Sequence, residues 1–122
     1  MTKYIADEAH FKEVLSRVPL VRRTLWIGTA DIKDLYVERA LCPRVHFKIL
    51  IFDMKVAYIG SANLTGAGIG MKGAGSRNFE AGILIDEPEL VEAAINQFDS
   101  VWRGAKCISC RKKKFCGDPI VK

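Results

Sequence analysis

The sequence predicts an α/β layered domain in which a mixed sheet is flanked by helices. Short runs rich in β-branched and aromatic residues lie between two amphipathic segments, one near each end of the chain. With 122 residues, of which 49% are apolar and 27% charged, the chain has a globular composition and room for one ordinary core. The expected organisation is a body over residues 1–104 and a basic, cysteine-containing tail over 105–122, packed on or near it.

The first part of the chain predicts a helix followed by a strand. Asp7 is the expected N-cap of a helix that ends near Arg17, because Pro19 follows. The apolar stripe of this helix is Phe11, Val14, Leu15 and Val18. The run 24–29 predicts a buried strand, and 31–39 could form one short helix.

Three further strands are predicted over residues 45–53, 56–60 and 79–85. Met54 and Lys55 separate the first two strands and are short enough for a hairpin turn. The segment 64–76 contains five glycines and little periodicity, which predicts a loop before the last strand.

The clearest helix follows the last strand. Asp86 with Glu89 three residues later resembles a capping box, and Pro88 suits a first helical turn. The expected apolar face consists of Leu90, Val91, Ala94, Ile95, Phe98, Val101 and Trp102.

The net charge of +5 is concentrated at the C-terminal end. Residues 103–122 hold seven basic residues and one acidic residue, which gives +6, whereas residues 1–102 hold twelve and thirteen, which gives −1. Four bases are consecutive: Arg111, Lys112, Lys113 and Lys114. Such a tail can steer a polyanion toward a site on the body, or it can act as a solubilising tail.

The sequence predicts neither a membrane span nor a secretion signal. Apolar runs such as 49–52 are far shorter than the ~20 residues that a membrane helix needs. Charges at Lys3, Asp7 and Glu8 interrupt any apolar segment typical of a signal peptide. A cytoplasmic location without membrane attachment is therefore expected.

His46 and Lys48 are the first candidates for chemistry. They are two positions apart on a predicted strand, so both side chains project from one face, while Phe47 points into a core. Together they suit an anionic ligand such as phosphate, since Lys48 supplies charge and a neutral imidazole can attack phosphorus. The alternative interpretation is a solvated sheet face with two ordinary polar residues.

A second polar group follows the next strand. Ser61 offers a hydroxyl and Asn63 an amide, and both are good partners for phosphate oxygens. The full pattern is His46-x-Lys48, then Asp53, then Gly60-Ser61-x-Asn63. Six specified residues at fixed spacings are a far more specific signal than His46 and Lys48 alone.

This pattern resembles the HKD motif of the phospholipase D superfamily. The resemblance continues through the glycine-rich segment after Asn63, the stretch 77–80 that enters a strand, and the end of the closing helix. It covers residues 42–102 closely and the N-terminal helix and strand loosely. Only residues 30–43 lie where the family usually has a further helix and strand, so the resemblance implies a shortened version of the fold.

The resemblance also implies a role for each site residue. His46 would be the nucleophile that forms a phosphohistidine, while a second histidine protonates the leaving oxygen and then activates water. Lys48 and Asn63 would bind the non-bridging oxygens, with Ser61 supporting the pocket. Glu80 would orient the histidine. The chemistry implied in this way uses no metal.

The remaining motif residue and the other histidine carry no chemistry in this interpretation. Asp53 is expected to be structural and to bind backbone near the hairpin turn, and His10 is assigned no role. Because the motif occurs once and the mechanism needs two histidines, the active unit is expected to be a homodimer with a shared site.

Among known family types, the length and the basic tail favour a nuclease that hydrolyses DNA or RNA. One alternative is a nucleic-acid-binding module that keeps the fold without turnover. Another is a lipid phosphodiesterase or transferase, although nothing in the sequence looks like an interfacial helix or a lipid anchor.

Three of the four cysteines lie in the tail, at the spacing Cys107-x-x-Cys110 and then Cys116, and Cys42 precedes His46 by four residues. Four thiolates would complete a tetrahedral zinc site, which could order a tail that has few apolar residues. The alternatives are an iron–sulfur cluster, disulfides, or thiols without a shared role. Without a secretion signal, a metal is favoured over disulfides.

Overall fold

The computed structural model describes residues 1–29, 42, 44–63, 75–76 and 78–116. Within these residues, five strands form one sheet in the order β1-β5-β4-β3-β2. The strands are β1 Thr2–Ala6, β2 Leu25–Gly28, β3 Ile49–Phe52, β4 Val56–Gly60 and β5 Ala81–Ile85. The α/β class is confirmed. The sheet was predicted to be mixed, but all four described pairings are antiparallel.

Helical segments cover both faces of the sheet and enclose two apolar clusters. A π-helical turn, His10–Val14, and a 3₁₀ segment, Leu15–Leu20, lie on one face. The cluster on this face consists of Ile5, Val14, Leu50, Phe52, Tyr58, Ala62 and Leu84. Helix α1, Pro88–Trp102, covers the other face. The second cluster consists of Ile49, Ile51, Ala57, Ile85, Val91, Ala94 and Phe98.

The N-terminal segment differs from the prediction. The chain begins with β1, which the sequence analysis missed and which pairs with the distant β5. Asp7 is not a helix N-cap: it has a φ of +48° in the turn that follows β1. The helical stretch extends past Arg17 to Leu20, and Pro19 lies inside its 3₁₀ part rather than ending it. Pairing with the distant β5 fixes residues 2–6, and a local sequence pattern does not reveal such a non-local effect.

Helix α1 is present as predicted, but its N-terminus is built differently. Glu87, not Asp86, is the N-cap, and Pro88 occupies the first turn. Asp86 instead binds the N-terminal ammonium group at 2.7 Å, so the expected capping box does not form. The buried face is also narrower than expected, because Leu90 and Trp102 are more than half exposed.

The bounds of β4 match the prediction, while β2, β3 and β5 are shorter than predicted. His46 and Lys48 therefore lie just before β3 rather than within it. The predicted helix over 31–39 falls outside the described residues. Of the predicted loop over 64–76, only Gly75 and Ser76 are described, and they form a turn.

The β3–β4 connection is a tight turn that Asp53 ties to the entrance of β2. Asp53 and Met54 have φ values of +52° and +57°, which let the chain reverse within three residues. The Asp53 carboxylate accepts hydrogen bonds from the backbone N–H groups of Arg22, Arg23 and Thr24 at 3.0, 2.6 and 3.0 Å. Asp53 thus has a structural role, as the sequence analysis expected.

These hydrogen bonds predict an acid-dependent loss of stability. The backbone N–H of Arg22, followed by those of Thr24 and Arg23, holds the pKa of Asp53 below its ordinary value of 3.8. A carboxyl group with a lowered pKa stabilises the fold above its unfolded-state pKa, and that stability is lost as the pH falls through the folded-state value. We expect the urea midpoint of the wild type to fall more steeply than that of Asp53→Asn as the pH is lowered from 5 to 2.

Arg22→Gln is the matched control for this prediction. It removes the neighbouring charge but keeps the backbone N–H that donates to Asp53. We expect it to retain the acid profile of the wild type. The explanation fails if Asp53→Asn and the wild type lose stability in parallel over this pH range.

Candidate active site

The segment that contains His46 and Lys48 contacts β4 and the second apolar cluster, which α1 covers. The backbone N–H of Gly60 donates to the carbonyl oxygen of Lys48 at 3.2 Å, which continues the β3–β4 ladder by one step. Phe47 packs against Phe98, with ring centroids 5.9 Å apart. Phe47 therefore packs into the core, and strand-like alternation would direct His46 and Lys48 to the opposite side.

The two side chains are accessible to a ligand. His46 is exposed and Lys48 is half-buried. The Lys48 ammonium donates to the carbonyl oxygen of His46 at 2.7 Å, which holds the positive charge beside the histidine. A cation in this position can attract an anion that approaches the imidazole.

Ser61 lies immediately after β4 and is held by three hydrogen bonds. Its backbone N–H donates to the carbonyl oxygen of Ala81 at 2.9 Å, and its Oγ accepts the Ala81 N–H at 3.0 Å. Its hydroxyl donates to the Glu80 carboxylate. Ser61 and Glu80 were predicted as site residues from separate parts of the sequence, and the β4–β5 pairing brings them into direct contact.

Asn63 is held by a residue that the sequence analysis did not assign to the site. The Thr29 hydroxyl donates to the Asn63 Oδ1 at 3.2 Å. This contact makes the amide oxygen the acceptor, so the amide nitrogen is the end that can donate to a phosphate oxygen. Thr29 directly follows β2, so this bond joins the first half of the chain to the residues after β4.

Glu80 is positioned by Asp7, which was predicted to cap a helix. The Glu80 N–H donates to the Asp7 Oδ1 at 2.9 Å, and the Asp7 N–H donates to the Glu80 carbonyl oxygen at 2.9 Å. The resemblance assigned Glu80 to orienting the histidine, whereas its carboxylate here accepts the Ser61 hydroxyl. Glu80 therefore fixes Ser61 in this structure.

The described residues do not form the predicted zinc site. Within the part of the chain that the structure describes, no three His, Cys, Asp or Glu side chains are close enough to hold a metal ion. None of the predicted ligands, Cys42, Cys107, Cys110 and Cys116, is in a disulfide. Cys42, Cys107 and Cys110 do line one cavity of about 190 Å³, which lies beside Arg44 and Lys106.

One cysteine in this cavity has an altered acidity. The backbone N–H of Lys112 donates to the Cys110 sulfur at 3.4 Å. This hydrogen bond and the Arg44 side chain lower the pKa of the Cys110 thiol, because both stabilise the thiolate.

The four consecutive bases of the tail lie at the surface. Arg111, Lys112 and Lys114 are exposed, and Lys113 is half-buried, with its ammonium donating to the Ile108 carbonyl oxygen at 3.2 Å. The ammonium groups of Lys112 and Lys114 lie 5.6 and 5.0 Å from the centroid of the Phe115 ring. The tail thus presents several cations together, at a short 3₁₀ turn over Lys113–Phe115.

Two further sequence expectations concern a membrane-spanning helix and the packing of the tail. Among the described residues, no helix is both long and apolar enough to cross a membrane.

The cavity lined by tail residues also includes Val45 and Phe47, so the tail segment after α1 lies against the chain that leads into the site.

Comparison with known proteins gives a family match over most of the chain. The family model described as the cardiolipin synthase, PLD-like domain, matches residues 20–102. Phospholipase D zeta 2 of Arabidopsis thaliana is 38% identical over 52 residues, which are 43% of this chain and 5% of that protein. The chain therefore spans only a small part of the length of this curated relative.

Two solved structures show more limited similarity. NucT from Helicobacter pylori is 23% identical with a TM-score of 0.38, over 46% of this chain and 31% of that chain. Nuc from Salmonella typhimurium, a phospholipase D family member, is 27% identical with a TM-score of 0.39, over 48% of this chain and 35% of that chain.

Proposed function

Because the chain belongs to the phospholipase D superfamily, we propose that it is a phosphodiesterase that hydrolyses nucleic acid through a phosphohistidine on His46. The observation that carries the proposal is the arrangement at one end of the sheet. The segment with His46 and Lys48 is bonded to the end of β4 at Gly60, directly before the Ser61–Glu80 pair. All of these residues lie inside the matched region 20–102.

In the first step, an imidazole nitrogen of His46 attacks phosphorus and the bond from phosphorus to the leaving oxygen breaks. The leaving oxygen takes a proton from a second, protonated histidine. The Lys48 ammonium and the Asn63 amide nitrogen stabilise the negative charge on the non-bridging oxygens. Ser61, fixed by Glu80, maintains the pocket around them.

In the second step, water attacks phosphorus and the bond from phosphorus to His46 breaks. The second histidine, now neutral, takes the proton from the water. The product is a phosphomonoester, His46 is free again, and the second histidine is protonated for the next cycle. No electrons are transferred to or from an external group.

The second histidine comes from a second copy of the chain in our proposal. The sequence contains two histidines, and His10 is fully buried, with both ring nitrogens in hydrogen bonds. His10 therefore cannot reach a phosphate in solution. A two-fold axis beside His46 would place two His46 imidazoles on opposite sides of one phosphorus, with two Lys48 ammonium groups nearby.

Nucleic acid is the proposed substrate because of the basic tail. DNA and RNA carry one negative charge per backbone phosphate, and a run of basic side chains at the protein surface attracts such a polyanion. Purified protein is incubated with plasmid DNA, a single-stranded oligonucleotide, a chromogenic phosphodiester and phosphatidylcholine vesicles, all in the presence of EDTA. We expect cleavage of the diester and of nucleic acid, and no cleavage by His46→Ala prepared in the same way.

The other results of this experiment would each contradict the proposal in a different way. Binding of nucleic acid without cleavage would indicate a binding module with the same fold. Cleavage of the vesicle lipid alone would indicate a lipid phosphodiesterase.

The tail is proposed to set affinity for nucleic acid and not the chemical rate. Changing Arg111, Lys112, Lys113 and Lys114 to Gln should weaken DNA binding and lower the slope of log K against log salt by up to about 3 units, since fewer counterions are released. Turnover of a small chromogenic diester should stay the same. The binding constant is measured by fluorescence anisotropy between 50 and 300 mM salt.

A variant with Lys12→Gln and Lys55→Gln is the control, because both side chains are exposed and lie outside the tail. We expect it to keep the wild-type slope to within about one unit. An unchanged slope in the tail variant would show that the tail makes no contacts with DNA phosphates and only increases solubility.

A further inference from the structure

His10 and Tyr58 form a buried polar pair in a core that is otherwise apolar. His10 is 0% exposed and Tyr58 is 1% exposed. The His10 Nδ1 lies 2.8 Å from the carbonyl oxygen of Asp7, and its Nε2 lies 2.8 Å from the Tyr58 hydroxyl. A carbonyl oxygen can only accept, so Nδ1 carries the hydrogen. In the neutral ring Nε2 is then an acceptor, to which the Tyr58 hydroxyl donates.

The same hydroxyl reaches the residue between Ser61 and Asn63. The Tyr58 oxygen accepts the backbone N–H of Ala62 at 3.3 Å. A chain of hydrogen bonds therefore runs from Asp7 through His10 and Tyr58 to Ala62. His10, Tyr58 and Ala62 are buried, so a break between them would leave a donor or acceptor without a partner, which is costly in a core.

Two glycines make room for the Tyr58 ring along the sheet. Gly60 and Gly82 are paired residues on β4 and β5. A Cβ at Gly82 would lie 2.7 Å from both Cζ and Oη of Tyr58, and a Cβ at Gly60 would overlap the same hydroxyl. The ring thus lies against Gly82 and its hydroxyl beside Gly60, at the end of β4, where it also reaches Ala62.

The segment before His10 is also connected to Ser61, through Glu80. Asp7 accepts the Glu80 N–H, and the Glu80 carboxylate accepts the Ser61 hydroxyl. Residues 7–10 are therefore linked to the segment 61–63 by two hydrogen-bonded routes, one through Tyr58 and the other through Glu80. Burial raises the pKa of Tyr58 to about 12, so its hydroxyl keeps its proton at neutral pH.

We propose that the His10–Tyr58 pair positions the segment 61–63 so that Asn63 meets the phosphate of the substrate while Ser61 stays bonded to Glu80. Tyr58 is then a positioning residue that acts through Ala62, and His10 fixes its hydroxyl. The inference rests on the proposed phosphodiesterase function for its kinetic part and on the geometry alone for its structural part.

Tyr58→Phe tests the inference because it removes only the hydroxyl and keeps the ring. We expect kcat for the chromogenic diester to fall about 10- to 100-fold and KM to change less than about 3-fold, as expected when binding survives but the reacting groups are misplaced. Ile51→Val, in the core on the other face, is chosen as a control with a comparable loss of melting temperature and should keep kcat. Tyr4→Phe, at a position 74% exposed, should change neither quantity.

A second readout does not need activity. The Ala62 amide should exchange its hydrogen at least about 10-fold faster in Tyr58→Phe than in the wild type, with Ile51→Val close to the wild type. If the wild type hydrolyses no diester, the proposed function fails, and this exchange measurement still decides the inference. Unchanged Ala62 exchange would overturn the positioning role, as would an equal fall of kcat in Tyr58→Phe and Ile51→Val.

Discussion

His46→Ala is expected to lower the rate of diester hydrolysis by at least about 10³-fold while the protein stays folded. The side chain is exposed, so its removal leaves no cavity, and the proposed covalent step uses no other nucleophile. The rate is measured with the chromogenic diester at saturating concentration, and folding is checked by the melting temperature.

The control for this substitution is Glu92→Ala, which removes an exposed side chain from α1. It should retain the wild-type rate. A His46→Ala protein that keeps more than a few per cent of the wild-type rate would show that His46 is not the nucleophile.

The second large effect is expected in mixed dimers. A dimer of one wild-type chain and one His46→Ala chain, isolated through two different affinity tags, should lose at least about 100-fold in turnover. The reason is that one of the two histidine roles, attack or proton transfer, has no side chain to perform it. The rate per dimer is measured immediately after isolation, before the chains can exchange.

Independent sites would give a different number. If each chain carried its own complete site, the mixed dimer would keep half of the wild-type rate. That result, or a monomer that is fully active at nanomolar concentration, would contradict the shared site. Doubly tagged wild-type dimers, isolated by the same procedure, provide the reference rate.

The fold could be predicted where local signals agree with the tertiary structure. The bounds of β4 follow from a turn at one end and Gly60 at the other, and α1 follows from its periodicity and Pro88. Strand β1 could not be predicted in this way. Only Ile5 of its five residues is buried, and its partner, β5, is distant in the sequence. The bond between Asp7 and Glu80 spans 73 residues, so no local pattern reveals that Asp7 binds Glu80 instead of capping a helix.

The same reasoning applies to the candidate site. Ser61 was identified from its hydroxyl at the end of a predicted strand and Glu80 through the family resemblance, and their contact follows from the β4–β5 pairing. Thr29 and Tyr58 were missed, because their bonds to Asn63 and His10 join residues 34 and 48 positions apart. One available signal for Tyr58 was Gly82, because a glycine inside a strand is unfavourable unless another group approaches it closely. The predicted zinc site rested on cysteine spacing alone, and spacing does not fix the distance from the tail to Cys42.

The central claim, that hydrolysis proceeds through a phosphohistidine on His46, is tested most directly by trapping the intermediate. Protein is mixed with bis(p-nitrophenyl) phosphate, quenched with alkali within one turnover, and digested for mass spectrometry. We predict a p-nitrophenyl phosphoryl group on the peptide that contains His46, which forms as p-nitrophenolate is released and decays at the turnover rate. Turnover without an adduct on this peptide, or an adduct on the peptide that contains His10, would contradict the account.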